Sequence, residues 1–174
     1  MRKNTRLILI RRFVLAALIL LAAILQNTRG FFPEPFGIRA FLLIPLTVSV
    51  SMFERSYAGV LFGILAGALW DSVSVAWNGF NALFLMLTAA GCGLLITLLM
   101  RNHLLTAVIL SGSASLLYCL FYILLFITAK GLGDAGYLLV RYYLPEAVYT
   151  TLFTPVFYLF VKAVMRVTAT EEAY

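Results

Sequence analysis

Charged and catalytic residue types are scarce in this chain of 174 residues. Only 11% of the residues are charged, and the sequence contains one histidine and two cysteines. His103 stands at the end of an apolar run, while Cys92 and Cys119 lie inside apolar runs, without further ligand residues at metal-binding spacing. These shortages exclude a Ser/His/Asp triad, a Cys/His pair and a metal cluster. The sequence therefore predicts a protein that is not an enzyme and has no cofactor.

Hydrophobic residues are abundant instead: they make up 63% of the chain, and the mean hydropathy is +1.01. This composition lies far outside that of soluble domains. The net charge is +6, but the basic residues lie at the ends of apolar runs and form no patch for nucleic acid. We therefore expect a single integral membrane domain over residues 1–174, with the two cysteines as buried packing residues rather than a disulfide.

Six apolar runs predict an all-α membrane protein with six transmembrane helices. Their approximate bounds are 7–26, 38–53, 57–74, 80–100, 104–129 and 142–164. The first run also resembles a signal peptide, but no small-x-small cleavage site follows it, so we expect an uncleaved helix. Pro45 predicts a kink in the second helix.

The distribution of lysine and arginine predicts the orientation in the membrane. In the six-helix model, four basic residues face outward: Arg29, Arg39, Lys130 and Arg141. Nine face inward: Arg2, Lys3, Arg6, Arg11, Arg12, Arg55, Arg101, Lys162 and Arg166. This asymmetry places both termini in the cytoplasm.

A stripe of glycines marks the third predicted helix. Gly59, Gly63 and Gly67 are followed by Asp71, all at intervals of four residues. Positions four apart in an α-helix share one face, so the stripe forms a smooth groove that leads to a carboxylate. Such a groove permits close approach of another helix, either within the chain or from a partner.

Asp71 is costly near membrane depth and is expected to be paired. Arg39 lies sixteen residues before Arg55, in the turn between the second and third helices, and Asp71 lies sixteen residues after it. On antiparallel helices this places the two charges at equal depth, about 24 Å from the turn. We predict an ion pair or a shared hydrogen-bond network between Arg39 and Asp71.

Pro145 and Glu146 open the sixth predicted helix. Proline suits the first turn of a helix, and an early glutamate complements the helix dipole. The pattern favours a helix cap over a proton-carrying site.

Three stretches resemble the family of rod shape-determining protein MreD, which are small bacterial membrane proteins with a basic N-terminus and about six helices. These stretches are RAFLLIPL from Arg39, GVLFGILAGALWDSVSVAWNGFNAL from Gly59, and LPEAVYTTLFTPVFYLF from Leu144. The second stretch is the most specific and contains Gly79 after the glycine stripe and Asp71.

The resemblance implies a non-enzymatic scaffold of the cell-elongation machinery in the bacterial cytoplasmic membrane. Its implied direct partner is the bitopic membrane protein MreC. Through MreC it would reach the cytoskeletal MreB and the transglycosylase and transpeptidase pair that build the wall, while membrane lipid surrounds it.

The resemblance also implies a fold similar to the substrate-binding subunits of energy-coupling-factor vitamin transporters, and this provides the alternative function. Such a subunit needs hydrogen-bonding and aromatic groups on its outer loops and helix ends. The predicted outer loops are short and poor in them, and Ala16, Ala17, Ala22 and Ala23 lack an Ala-x-x-x-Ala spacing. A subunit of an ion channel or ion transporter would need more buried carboxylates than Asp71.

Overall fold

The structure is a computed structural model that describes residues 2–28, 38–54, 57–74, 79–128 and 135–168. All regular elements within these residues are helical. The α-helices are α1 (Arg2–Asn27), α2 (Leu43–Phe53), α3 (Tyr57–Asp71), α4 (Phe80–Leu98), α5 (Leu104–Tyr122), α6 (Ala135–Leu138), α7 (Leu144–Leu152) and α8 (Thr154–Val167). Two π-helical turns occur, π1 (Ile123–Thr128) after α5 and π2 (Leu139–Tyr143) between α6 and α7.

Within the described residues, four helical stretches are long and apolar enough to cross a membrane: Thr5–Asn27, Phe80–Leu98, Leu104–Phe126 and Gly136–Val167. The last one runs from α6 through α8. By contrast, α2 and α3 have 11 and 15 residues. At 1.5 Å per residue they rise only about 16 Å and 22 Å, less than the hydrocarbon core of a bilayer. The lengths of the described helices therefore support four membrane spans. The six spans expected from the sequence stay a prediction.

The second predicted helix begins later than expected. The prediction placed its start at Ile38, whereas α2 starts at Leu43. Pro45 consequently lies in the first turn of α2, where its missing N–H removes no helical hydrogen bond. The predicted kink at Pro45 is therefore wrong, because the proline helps to begin the helix.

Polar side chains accept hydrogen bonds from backbone N–H groups at the entry to α2. The backbone N–H of Phe41 donates to Oγ1 of Thr150 at 2.9 Å, and that of Leu43 donates to Oε1 of Gln26 at 3.0 Å. Irregular backbone is tolerated at membrane depth only where protein groups supply such bonds. This segment is thus held by α1 on one side and α7 on the other.

Helix α2 is the centre of the bundle. Its residues from Leu43 to Met52 are all buried, and it packs against α3, α4, α5 and α8. The hydroxyl groups of Ser49 and Ser51 donate to the carbonyl oxygens of Pro45 and Thr47 in the same helix. Because these polar groups are satisfied locally, α2 can be surrounded by apolar side chains on every face.

Contacts at one end of the bundle show which helices begin and which end there. At one end, which we call the Arg11 end, Arg11 of α1 forms an ion pair of 2.6 Å with Glu54 after α2. At the same end, Asn102 before α5 donates to the carbonyl oxygen of Met52, and Tyr158 of α8 donates to the carbonyl oxygen of Asn102. Helix α1 therefore begins, and α8 ends, at the Arg11 end.

Candidate functional site

The glycine stripe on α3 is filled from within the chain. A Cβ atom added to Gly63 would lie 2.7 Å from the carbonyl oxygen of Leu85 and 2.8 Å from Cβ of Ala89. One added to Gly67 would overlap the backbone of Ala82. A Cβ atom added to Gly59 would overlap the carbonyl oxygen of Glu54, just after α2. Helices α3 and α4 thus meet backbone to backbone, and these glycines serve intramolecular packing.

This close approach brings Asp71 to the beginning of α4. Its Oδ1 accepts a hydrogen bond from the backbone N–H of Asn81 at 3.1 Å, and its Oδ2 accepts one from the N–H of Ala82 at 2.9 Å. These are the second and third residues of α4, whose N–H groups have no partner within the helix. Asp71 therefore caps a helix other than its own, and its negative charge complements the dipole of α4.

The N-cap position of α4 explains why the cap comes from elsewhere. Gly79 occupies that position with φ = +98°, in the left-handed region that favours glycine. It has no side chain with which to accept from the first turn of α4. The sharp entry into α4 therefore depends on glycine at position 79, and Asp71 supplies the missing acceptor.

Asn81 connects this cap to α5. Its side chain is fully buried, with Nδ2 donating to Oγ of Ser74 at 3.2 Å and Oδ1 accepting from the hydroxyl of Tyr118 at 2.8 Å. Buried amides stabilise a fold when their hydrogen bonds are satisfied. The Asn81 side chain thereby joins α4, the end of α3 and α5 at the end of the bundle opposite Arg11, which we call the Asp71 end.

An aromatic cavity of about 360 Å³ lies beside this network. Six of the nine described residues that line it are aromatic: Phe41, Trp70, Tyr118, Tyr122, Tyr142 and Tyr143. The other three are Ser74, Leu138 and Glu146. The cavity therefore has an apolar wall, several hydroxyl groups and one carboxylate.

The aromatic rings support one another across several elements. Trp70 of α3 stacks on Tyr118 of α5 with 4.9 Å between ring centroids, and Phe41 lies 5.0 Å from Tyr118. Tyr122 stacks on Phe126 at 4.8 Å. Such offset and edge contacts hold rings in fixed orientations, so the wall is formed before any ligand arrives.

Two π-helical turns border the cavity. Tyr122 directly precedes π1, and Tyr142 and Tyr143 lie within π2. A π turn inserts an extra residue and changes the direction of the side chains that follow. π2 thus sets the direction of Tyr142 and Tyr143, whereas Tyr118 and Tyr122 line the cavity from α5, before π1 begins.

Glu146 lines the cavity and also lies in the first turn of α7. Pro145 and Glu146 do occupy the first turn of α7, but the chain is already helical from Ala135, and the N–H of Leu144 donates to the carbonyl oxygen of Leu139. π2 continues directly into α7, and the residue before α7, Tyr143, makes no side-chain cap hydrogen bond. The helix cap predicted for Pro145 and Glu146 stays a prediction.

Arg39 lies within electrostatic range of Glu146. Both oxygens of Asp71 accept backbone hydrogen bonds, but a carboxylate has further acceptor positions. The ion pair between Arg39 and Asp71 therefore stays a prediction.

Comparison with protein families identifies the chain. The family model of rod shape-determining protein MreD matches residues 5–168, which is nearly the whole length. The chain belongs to the MreD family. This is a family of shape-determining membrane proteins, so membership indicates a role in determining rod shape. No curated protein and no solved structure matches the chain, and the vitamin-transporter alternative gains no support from these comparisons.

Several residues of this MreD-family site escaped the sequence prediction. Tyr118 and Tyr122 of α5 and Phe126 of π1 repeat at intervals of four and could have been recognised as an aromatic stripe. The ion pair between Arg11 and Glu54 was also missed, since Arg11 was considered only as a basic residue that faces inward. Glu54 is only 6% exposed, which no local pattern indicates.

Proposed function

We propose that the chain is a non-enzymatic scaffold of the bacterial elongation complex, which binds MreC and helps to direct peptidoglycan synthesis. The observation that carries this proposal is the MreD family match over residues 5–168. MreB and the wall-building transglycosylase and transpeptidase would be reached through MreC. The proposal places the chain in the cytoplasmic membrane as a multi-pass protein.

The basic residues support a cytoplasmic position for both termini. Helix α1 begins and α8 ends at the Arg11 end, and Arg6, Arg11, Arg12, Arg101 and Arg166 belong to the segments that meet there. Basic residues concentrate on the cytoplasmic side of bacterial membrane proteins. We therefore propose that the Arg11 end faces the cytoplasm and the Asp71 end, with its aromatic cavity, faces outward.

The surface we propose for MreC is the exposed face of α3, opposite its glycines. The glycine face of α3 is occupied by α4 and by the end of α2, so a partner of α3 would use the opposite face, where Leu61 is 65% exposed and Leu65 is also exposed. Grooves run along both sides of this face: one against α1, beside Ala16, and one against α4, beside Gly93. A ridge of leucines between two grooves with small residues suits the single membrane helix of a bitopic partner.

Affinity purification from native membranes tests this proposal. The unmodified chain should recover MreC together with the wall synthases. Leu61→Trp adds bulk to the ridge and should reduce MreC recovery at least about fivefold, because a misplaced side chain prevents close helix packing. Recovery of a transporter ATPase or a bound vitamin in place of MreC would contradict the scaffold.

A matched control variant is available on α5. Ile109 is 53% exposed and lies about as far from the Arg11 end as Leu61 does. If MreC binds specifically to the α3 face, the Ile109→Trp variant should recover as much MreC as the unmodified chain. Equal losses in both variants would mean that MreC does not use α3 in particular.

A further inference from the structure

The aromatic cavity has properties that a scaffold does not need. Its lining combines six aromatic residues with Glu146, and none of the described lining residues is positively charged. An ionisable side chain in a membrane-spanning helix is costly and marks a functional site by default. Packing alone would be served better by apolar side chains that fill the space.

We propose that this cavity binds a small organic ammonium group, held between the aromatic rings and the Glu146 carboxylate. Aromatic faces attract cations through their quadrupole, most strongly where water is excluded. A carboxylate beside those faces adds direct charge pairing. The volume of about 360 Å³ lies at the lower end of the range for ligand pockets, so the ligand is small.

The cavity wall is rigid enough to bind a cation without rearrangement. Tyr122 is fixed by Phe126 on one side, and its ring centroid lies 5.9 Å from that of Tyr143. Trp70 and Tyr118 form a second stacked pair, and Tyr118 is held by its hydrogen bond to Asn81. Rings held in place in this way lose little freedom on binding, which favours affinity.

Arg39 does not prevent this role for Glu146. It acts electrostatically on Glu146, but it is not among the described residues that line the cavity. A carboxylate has two oxygens with about four acceptor positions, so Arg39 and a bound ammonium group can both interact with Glu146.

The ammonium group can come from two sources. One is a soluble amine such as ethanolamine or choline, and the other is the headgroup of phosphatidylethanolamine in the surrounding membrane. Both present the same chemistry to the rings and to Glu146. The experiment therefore measures the two separately.

Tryptophan fluorescence provides the measurement. The chain has two tryptophans, and Trp77→Phe leaves Trp70, which lines the cavity, as the single reporter. The full chain is placed in nanodiscs of phosphatidylglycerol, which lacks an amine, and choline or ethanolamine is added. A saturable change in Trp70 emission is expected. Replacing part of the phosphatidylglycerol by phosphatidylethanolamine should give the same change without added amine if the lipid is the source.

Variants of the cavity test the chemistry. Glu146→Gln removes the charge at nearly constant shape, and Tyr122→Leu removes one aromatic face, whereas Tyr122→Phe keeps it. The first two should weaken ammonium binding about tenfold or more, and the third should not. Glu171→Gln removes one formal charge from the C-terminal tail and should bind as the unmodified chain does.

The proposal is overturned if neither the soluble amines nor phosphatidylethanolamine changes Trp70 emission. It is also overturned if a neutral analogue of choline, with carbon in place of the quaternary nitrogen, binds equally well. Gel filtration and thermal unfolding identify any variant that fails to fold. Since Tyr122→Leu and Glu146→Gln change different parts of the wall, binding that survives both contradicts the proposal as well. None of these outcomes depends on MreC.

Discussion

Asp71 accepts a hydrogen bond from the backbone N–H of Ala82 at 2.9 Å, and so a residue at the end of α3 caps the beginning of α4. The contact depends on Gly67, one turn before Asp71, where the absence of a side chain lets the backbone of α4 approach. The glycine stripe and the aspartate therefore act together. The glycines bring the two helices into contact, and Asp71 then satisfies the exposed N–H groups of α4.

Removing the Asp71 cap should destabilise the protein. Asp71→Ala leaves two N–H groups of α4 without their acceptor and should lower the free energy of unfolding by about 1–2 kcal/mol. Lower protein levels or weaker MreC binding should follow in cells. Asp71→Asn should fall between Asp71→Ala and the unmodified chain, because one oxygen remains. Denaturant unfolding in detergent measures the effect.

The neighbouring Ser72 provides the control for this measurement. Its hydroxyl is exposed and donates only to the carbonyl oxygen of Leu69 in its own helix. Ser72→Ala should therefore change stability little. If Asp71→Ala were no more destabilising than Ser72→Ala, the cap would have no energetic role.

The glycine stripe yields a second prediction. Gly67→Ala places a methyl group against the backbone of Ala82, so α3 and α4 must move apart. We expect a loss of about 1–3 kcal/mol in stability, visible as a lower thermal midpoint. Gly91→Ala is the matched control, because a Cβ at Gly91 meets no described atom within 4 Å. Similar midpoints for the two variants would refute the close-packing account.

The ion pair at the Arg11 end gives a third prediction. Arg11→Gln leaves the carboxylate of Glu54 buried without its partner and should destabilise the protein by about 2 kcal/mol, less than a fully buried pair because Arg11 is 22% exposed. Arg12→Gln changes an exposed neighbour and should have little effect. A double-mutant cycle with Glu54→Gln should show a coupling of about 1 kcal/mol, and additive losses would count against the pair.

The hydroxyl of Tyr118 provides a fourth prediction. Tyr118→Phe keeps the aromatic ring but leaves Oδ1 of the buried Asn81 without its donor. Leaving a buried acceptor unsatisfied should cost about 1–3 kcal/mol. Tyr137→Phe removes an exposed hydroxyl and should be neutral in the same unfolding measurement. Equal stability of the two variants would mean that another group satisfies Asn81.

The sequence predicted the helices whose signal is local and periodic. The runs that became α1, α4 and α5 are long and apolar, and glycines at intervals of four indicated the close contact made by α3. The start of α2 was misplaced because residues 38–42, apart from Arg39, are apolar like the helix that follows. The acceptors for the N–H groups of Phe41 and Leu43, at the entry to α2, are the side chains of Thr150 and Gln26, which lie far away in sequence.

The functional residues were harder to predict because they meet only in three dimensions. Asp71 was recognised because a charged side chain is costly near membrane depth. Its role as a hydrogen-bond acceptor depends on α4, however, and local sequence does not show which N–H groups lie within its reach. Glu146 was predicted as a helix cap because Pro145 precedes it, and local sequence gave no sign that its side chain also lines a cavity. The cavity combines rings from α3, α5 and π2, so its members share no common period.

Site-specific photo-crosslinking in living cells tests the central claim, that MreC binds the exposed face of α3 opposite its glycines. A photoreactive phenylalanine derivative is introduced at Leu61 and, as a control at similar depth, at Ile109. The account predicts an adduct that contains MreC from position 61 and none from position 109. The absence of an MreC adduct at position 61, or the same adduct from both positions, would contradict it.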